Sequence, residues 1–144
     1  MRRINLKAIL IGCLVDWLGT LAFSIASGVS LGIMAALRGL GQQETQSAFI
    51  EWSGSLPGMV LSLLCGFGFT FLGGYVAARM SKTSHLLNSA FVGAIGILLG
   101  LLFISEAPEP IFLLSSLFSI PVATLGGFCY RRNWVLLWSE EREQ

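Results

Sequence analysis

Apolar residues gather into four long runs without period-two alternation: about Ala8 to Leu37, Leu56 to Ala78, Leu86 to Ile104 and Ile111 to Tyr130. Each run is long enough to cross a hydrocarbon core of ~30 Å as a helix rising ~1.5 Å per residue. Backbone amides and carbonyls in lipid must find partners within the protein, so continuous apolar runs predict helices rather than barrel strands. The expected fold is all-α, an integral membrane protein of four transmembrane helices. One membrane domain then covers residues 1–144, with helices near 8–37, 56–78, 86–104 and 111–130, an outer loop at 38–55 and a cytoplasmic tail at 131–144.

Small residues recur every fourth position inside these runs. The second carries Gly58, Ser62, Gly66, Thr70, Gly74 and Ala78, and the fourth Ser115, Ser119, Ala123 and Gly127. The first carries Gly12, Asp16, Thr20, Ser24, Gly28, Gly32 and Ala36, and the third Ser89, Gly93, Gly96 and Gly100. Such ridges let helix backbones approach closely in lipid. They predict packing within the chain or between copies through Gly28, Gly32, Gly66, Gly73, Gly74, Gly93, Gly100, Gly126 and Gly127.

The first run, about 30 residues or ~45 Å of helix, exceeds what a bilayer needs and must tilt, kink near Gly28 or project outward. In the loop after it, residues 42–52 predict a short helix with Ala48, Phe49 and Trp52 on one face. Ser55 and Pro57 signal the start of the second span, and Pro110 opens the fourth. Pro121 leaves the Leu117 carbonyl without its usual amide and predicts a kink. Trp134 and Trp138 read as an interfacial anchor beyond Arg131.

The two halves resemble each other. Leu72-Gly73-Gly74-Tyr75 ahead of Arg79 matches Leu125-Gly126-Gly127-Phe128 ahead of Arg131, and Leu6, Gly12 and Gly19 match Leu87, Gly93 and Gly100 at equal spacing. The pattern suggests parallel duplication of a two-helix hairpin. Asp16 has Ile97 at its matched position.

Composition and charge sharpen the class. The chain is 54% hydrophobic and 12% charged, half the charge of an ordinary soluble domain. Of its nine Lys and Arg residues, all but Arg38 fall on one side of the four runs: Arg2, Arg3, Lys7, Arg79, Lys82, Arg131, Arg132 and Arg142. Glu44, Glu51, Glu106 and Glu109 fall on the other side with Arg38, which predicts cytoplasmic termini. The composition implies the lipid bilayer as a partner, and the small-residue faces a second copy or another membrane protein; there is no nucleic-acid footprint. Cys13, Cys65 and Cys129 lack metal or redox spacing and read as buried apolar residues.

Asp16 is the one acid inside an apolar run. A charge at such depth is costly unless a cation or several donors stabilise it, the property that proton-coupled and cation-binding sites exploit. The structural alternative is that Asp16 sits near the headgroups or simply hydrogen-bonds a neighbouring helix. Arg79 is a snorkelling anchor, or else the charge partner of Asp16. His85 and Asn88 read as interfacial residues at the start of the third run. Leu10-Ile11-Gly12-Cys13 resembles a lipoprotein cleavage box, but only about five apolar residues precede the cysteine, too few for a signal core. No cluster suggests a metal, a cofactor or an enzyme's nucleophile.

GGYVAARMSK followed by LLNSAFVGAIGILLGLL resembles several groups of small four-span bacterial membrane proteins of uncharacterised function. The resemblance implies a bacterial inner membrane. Asp16-Trp17-Leu18-Gly19-Thr20 is similar to the acidic motif of small multidrug resistance transporters, which implies an acid alternating between protons and cationic drugs; the acid is Asp here, and the later helices do not follow that family's pattern. Two functions follow: a non-enzymatic interaction protein packing through small-residue faces against itself or another membrane protein, or a small proton- or cation-coupled transporter using Asp16. The topology is checked with a cysteine placed at Ser84, which is expected to react with an impermeant thiol reagent only from the cytoplasmic face; labelling from outside the cell reverses the orientation.

Overall fold

The computed structural model describes residues 4–81, 83–103 and 110–140, and their side chains except at 103, 110–114 and 133–140. Five helices make up most of this: α1 (Leu6–Leu37), α2 (Gln42–Gly54), α3 (Leu56–Met80), α4 (His85–Phe103) and α5 (Pro110–Glu140). No strand occurs among the described residues. Helices α1, α3 and α4 are long and apolar enough to cross a membrane. Arg2, Arg3, Lys82, Glu106, Glu109, Arg142 and the Ala107-Pro108-Glu109 turn lie outside the described residues, as do the side chains of Trp134 and Trp138.

Local chemistry sets most helix ends. Asn5 caps α1, its side-chain oxygen accepting the Ala8 amide at 3.2 Å. The helix then runs unbroken for 32 residues. It stops where Gly39 takes a φ of +69°, which lets the Leu40 amide reach back to the Ala35 carbonyl and the Gly39 amide to that of Ala36, both at 3.0 Å. The short helix expected in the loop is α2, opened by the Gly41 amide donating to Glu44 Oε2 at 2.9 Å. Ser55 caps α3 through the Gly58 amide, with Pro57 in the first turn, and Pro110 opens α5.

The largest departure is at the far end of α5. The sequence predicts that the fourth helix ends at Tyr130, where the apolar run meets Arg131, yet α5 continues ten residues further to Glu140. Charge ends an apolar run but not a helix: residues 131–140 contain no glycine or proline to break the hydrogen-bond ladder. Pro121 is accommodated inside the same helix.

Burial is inverted relative to a soluble domain. Leu14, Leu18, Leu21, Ile25, Leu64 and Leu102 point outward, whereas the buried set is dominated by small residues such as Ala8, Ala77, Ala78 and Ala123. Among the described residues, only Ile9, Ala77 and Val92, with Cys13 and Ile95 against them, form a buried apolar cluster. Large side chains lose nothing by facing hydrocarbon, so packing is decided by how closely backbones approach.

Helix α3 is the centre and touches all the others. It runs in the same direction as α5, as Phe67 lies beside Phe118 and Tyr75 beside Tyr130, with ring centroids 6.4 and 5.5 Å apart. The small-residue ridges of the two helices face each other but meet only in part. At Gly74 a methyl group would collide with the Ala123 carbonyl, and at Gly126 with that of Phe71. Gly127 is occupied in the same sense by Ser89 of α4, and Gly93 by the backbone of Ser119 and Ile120. On the other side of α3, Gly12 and Gly73 abut, so that a methyl carbon added to either would lie only 2.6 Å from the other's carbonyl oxygen. A methyl carbon added at Gly28, Gly32, Gly66 or Gly68 would meet nothing of another helix within 4 Å, and Gly100 is half-buried.

The matched glycines of the internal repeat do not make matched contacts. Gly12 meets Gly73, but Gly93 meets Ser119 and Ile120, while Gly126 lies on Phe71 and Tyr75. Among the described residues α4 packs on α3, whereas α1, its counterpart, does not pack on α5. These contacts set the expected effect of added volume. Gly74→Val should lower stability by about 1–3 kcal/mol because a packed backbone cannot give way, whereas Gly68→Val should stay within about 0.5 kcal/mol. Unfolding of the purified variants in mild detergent measures both.

Candidate functional site

Asp16 lies where α1, α3 and α4 converge. One turn before it, Gly12 meets Gly73, and this contact carries the aspartate against the C-terminal half of α3. Its Oδ1 accepts a hydrogen bond from the buried Thr70 hydroxyl at 3.1 Å. Its Oδ2 faces Gly96 of α4, where an added methyl carbon would lie 3.7 Å away. The Asp16 side chain is only partly buried. The structure therefore brings Asp16 to Thr70, an interhelical hydrogen bond of the kind the structural alternative describes.

Arg79 is not part of this arrangement. It is exposed near the end of α3, nine residues beyond Thr70, a rise of about 14 Å. That separation keeps Arg79 away from the Asp16 carboxylate. The cysteines are free and half-buried, with Cys13 packed against the small apolar cluster.

Thr70 also borders a cleft of ≈ 570 Å³ between the end of α2 and the facing ridges of α3 and α5. Towards the α2 end of the molecule these ridges separate, so Ser62, Gly66 and Thr70 of α3 line one wall and Ser115 and Ser119 of α5 another. Ile50, Met59, Leu63 and Phe67 supply the apolar surface. Ser62, Gly66, Thr70, Ser115 and Ser119 are visible in the sequence, but as members of packing ridges. What distinguishes them is visible in the residue types: serine and threonine concentrate where the ridges part, whereas Gly74, Ala78, Ala123 and Gly127 lie where they close.

A second polar group, at the opposite end, ties the helices together. Asn88 is fully buried; its Oδ1 accepts the Asn5 amide at 3.0 Å, and its Nδ2 donates to the carbonyls of Thr83 and Ser84 at 3.2 Å. These bonds hold Ser84 at a φ of +60°, which a serine seldom adopts. The Ser89 hydroxyl reaches the Gly74 carbonyl at 2.8 Å and shares its proton with the His85 carbonyl at 3.0 Å. His85 is half-buried rather than solvated: its Nδ1 lies 2.8 Å from the Ala78 carbonyl and so carries the proton, and its ring leans on Tyr130 with centroids 5.7 Å apart. All acceptors here are backbone or uncharged, and the group reads as a clasp between α1, α3 and α4.

Among the described residues no three His, Cys, Asp or Glu side chains converge as metal ligands would. The chemistry on offer is therefore one carboxylate, the hydroxyl that donates to it and a hydroxyl-lined cleft on the far side of that hydroxyl. A double-mutant cycle between Asp16→Asn and Thr70→Val should give a coupling of about 0.6–1.7 kcal/mol, the range of interhelical hydrogen bonds in membranes; a value near zero would leave Asp16 without a partner in α3. No protein-family model, curated protein or solved structure matches the chain, so the reading of this site rests on its own geometry.

Proposed function

We propose that the chain is a four-span protein of a bacterial inner membrane, both termini cytoplasmic, which acts without catalysis by associating through small-residue helix faces with a second copy of itself or another membrane protein. The observation that carries this reading is the space over Gly28 and Gly32, where an added methyl carbon would meet nothing within 4 Å, whereas Gly12, Gly73, Gly74, Gly93 and Gly126 are filled by backbone; Gly32 lies at the edge of a groove against α2 and Gly28 outside it. On the same stretch of α1 the Thr20 hydroxyl donates to the Asp16 carbonyl and the Ser24 hydroxyl to that of Thr20. Both protons are thus spent within the helix, and a partner helix would meet a smooth surface without stray donors.

The four-span reading is supported by the 31-residue length of α5 and its course alongside α3 in the same direction. That common direction is also what parallel duplication of a hairpin would give, with the unequal glycine contacts as later divergence. The cytoplasmic side would be the end carrying the Asn5–Asn88 clasp, and α2 would lie at the outer face.

A second reading, proton- or cation-coupled transport through Asp16, is favoured by the position of Thr70 between that carboxylate and the cleft. Two variants separate the readings. Replacing both Gly28 and Gly32 by Leu should reduce self- or partner association about tenfold or more in bilayer cross-linking or energy-transfer measurements, with the fold of the single chain unchanged. Asp16→Asn should leave association intact. If Asp16→Asn instead abolishes a proton-linked flux while assembly is normal, transport replaces association as the function.

A further inference from the structure

We infer that the cleft beside Thr70 binds an uncharged amphiphile whose head both donates and accepts a hydrogen bond, of which a long-chain alcohol is the simplest. The inference goes beyond association and transport alike, because it concerns neither the Gly28–Gly32 face nor an ion at Asp16. Among the described residues five hydroxyls line the cleft: Ser53 from α2, Ser62 and Thr70 from α3, and Ser115 and Ser119 from α5. A hydroxyl has one proton and two lone pairs, so where each proton goes decides what an occupant must supply.

Four of the five are engaged. Thr70 donates to Asp16 Oδ1 at 3.1 Å, Ser119 to the Ser115 carbonyl at 3.2 Å and Ser53 to the Phe49 carbonyl at 2.6 Å, and Ser115 has a partner of its own. Ser62 makes no hydrogen bond to a described residue, although a helical serine can return its proton to the carbonyl one turn back, as Ser24, Ser30 and Ser119 do. The lining therefore combines a free proton on Ser62 with the acceptor lone pairs of Ser53, Thr70 and Ser119. An ammonium head only donates, and a carboxylate or an ether only accepts. A hydroxyl head does both.

Charge points the same way. No Lys, Arg, His, Asp or Glu lines the cleft. Asp16 stands behind Thr70, with Oδ1 on that hydroxyl and Oδ2 facing Gly96 of α4. An ion in the cleft would have no counter-charge in contact, a costly state inside a membrane. Ile50, Met59, Leu63 and Phe67 supply apolar surface for an alkyl chain, and the Phe67 ring is held edge-on by Phe118. The volume of ≈ 570 Å³ lies within the range of small-molecule pockets.

The test uses the full chain in phosphatidylcholine nanodiscs at neutral pH, with empty nanodiscs as the baseline and affinities expressed against the concentration of ligand in the bilayer. Equilibrium binding of octanol is compared with that of octylammonium, octanoate and methoxyoctane, which differ only in the head. Octanol is expected to bind about fivefold more tightly than methoxyoctane, the effect of one neutral hydrogen bond, and about tenfold or more above the two ions. Ser62→Ala removes a hydroxyl that holds no other group and should weaken octanol about fivefold. Ser62→Thr, which keeps the hydroxyl, should bind octanol as the natural chain does. Equal or tighter binding of octylammonium, octanoate or methoxyoctane, no saturable binding of octanol, or equal affinities for Ser62→Ala and Ser62→Thr would each overturn the inference.

Discussion

The contact on which the rest of the structure depends is the approach of the α3 and α5 backbones at Gly74 and Ala123, reinforced where Gly126 lies on the Phe71 carbonyl. No side chain fits between the helices there, so the residues at the crossing must be small. Apolar surface provides little drive for association in lipid, and close backbone contact takes its place. The same crossing seats α4, because Ser89 reaches the Gly74 carbonyl and fills the space over Gly127. Helix α1 is then added by the Gly12–Gly73 contact and by the bond from Asn5 to Asn88.

Two helices crossing at an angle can be in backbone contact over only a few turns. Having met at Gly74, α3 and α5 must part in one direction, and the cleft is the space that opens. The polar residues of both ridges fall on that open part, with Thr70 at its boundary. Asp16 is held there as a consequence of packing: Gly73 and Gly96 leave room for its side chain between α1, α3 and α4, and Thr70 supplies a donor. The cleft and the carboxylate thus share one residue, which links packing to whatever chemistry the chain performs.

Much of this was legible in the sequence, for identifiable reasons. Apolar run length located α1, α3, α4 and the start of α5, and Ser55 with Pro57, and Pro110, marked helix starts because each has a specific capping or first-turn role. The end of α5 was hidden, since hydropathy reports where lipid stops and not where helical hydrogen bonding stops. The ridges identified which residues are small but not which partner each would meet. Gly73, Gly74, Gly93, Gly126 and Gly127 are occupied, while Gly28, Gly32 and Gly66 are open, and that division depends on crossing angles between segments distant in the chain. For the same reason Asp16 stood out as an unusual residue, but Thr70, rather than Arg79, could be recognised as its partner only once α1 was placed on α3.

The division of one pair of ridges into a closed and an open part is tested most directly by thiol accessibility. With Cys13, Cys65 and Cys129 replaced by Ala, single cysteines at Ser62 and Ser119 in the cleft and at Ala78 and Ala123 in the closed part are exposed to a water-soluble maleimide in nanodiscs. Reaction at Ser62 and Ser119 with protection at Ala78 and Ala123 is the predicted result. Equal protection at all four positions would contradict it, because the ridges would then be closed along their whole length and no cleft would lead to Thr70 and Asp16.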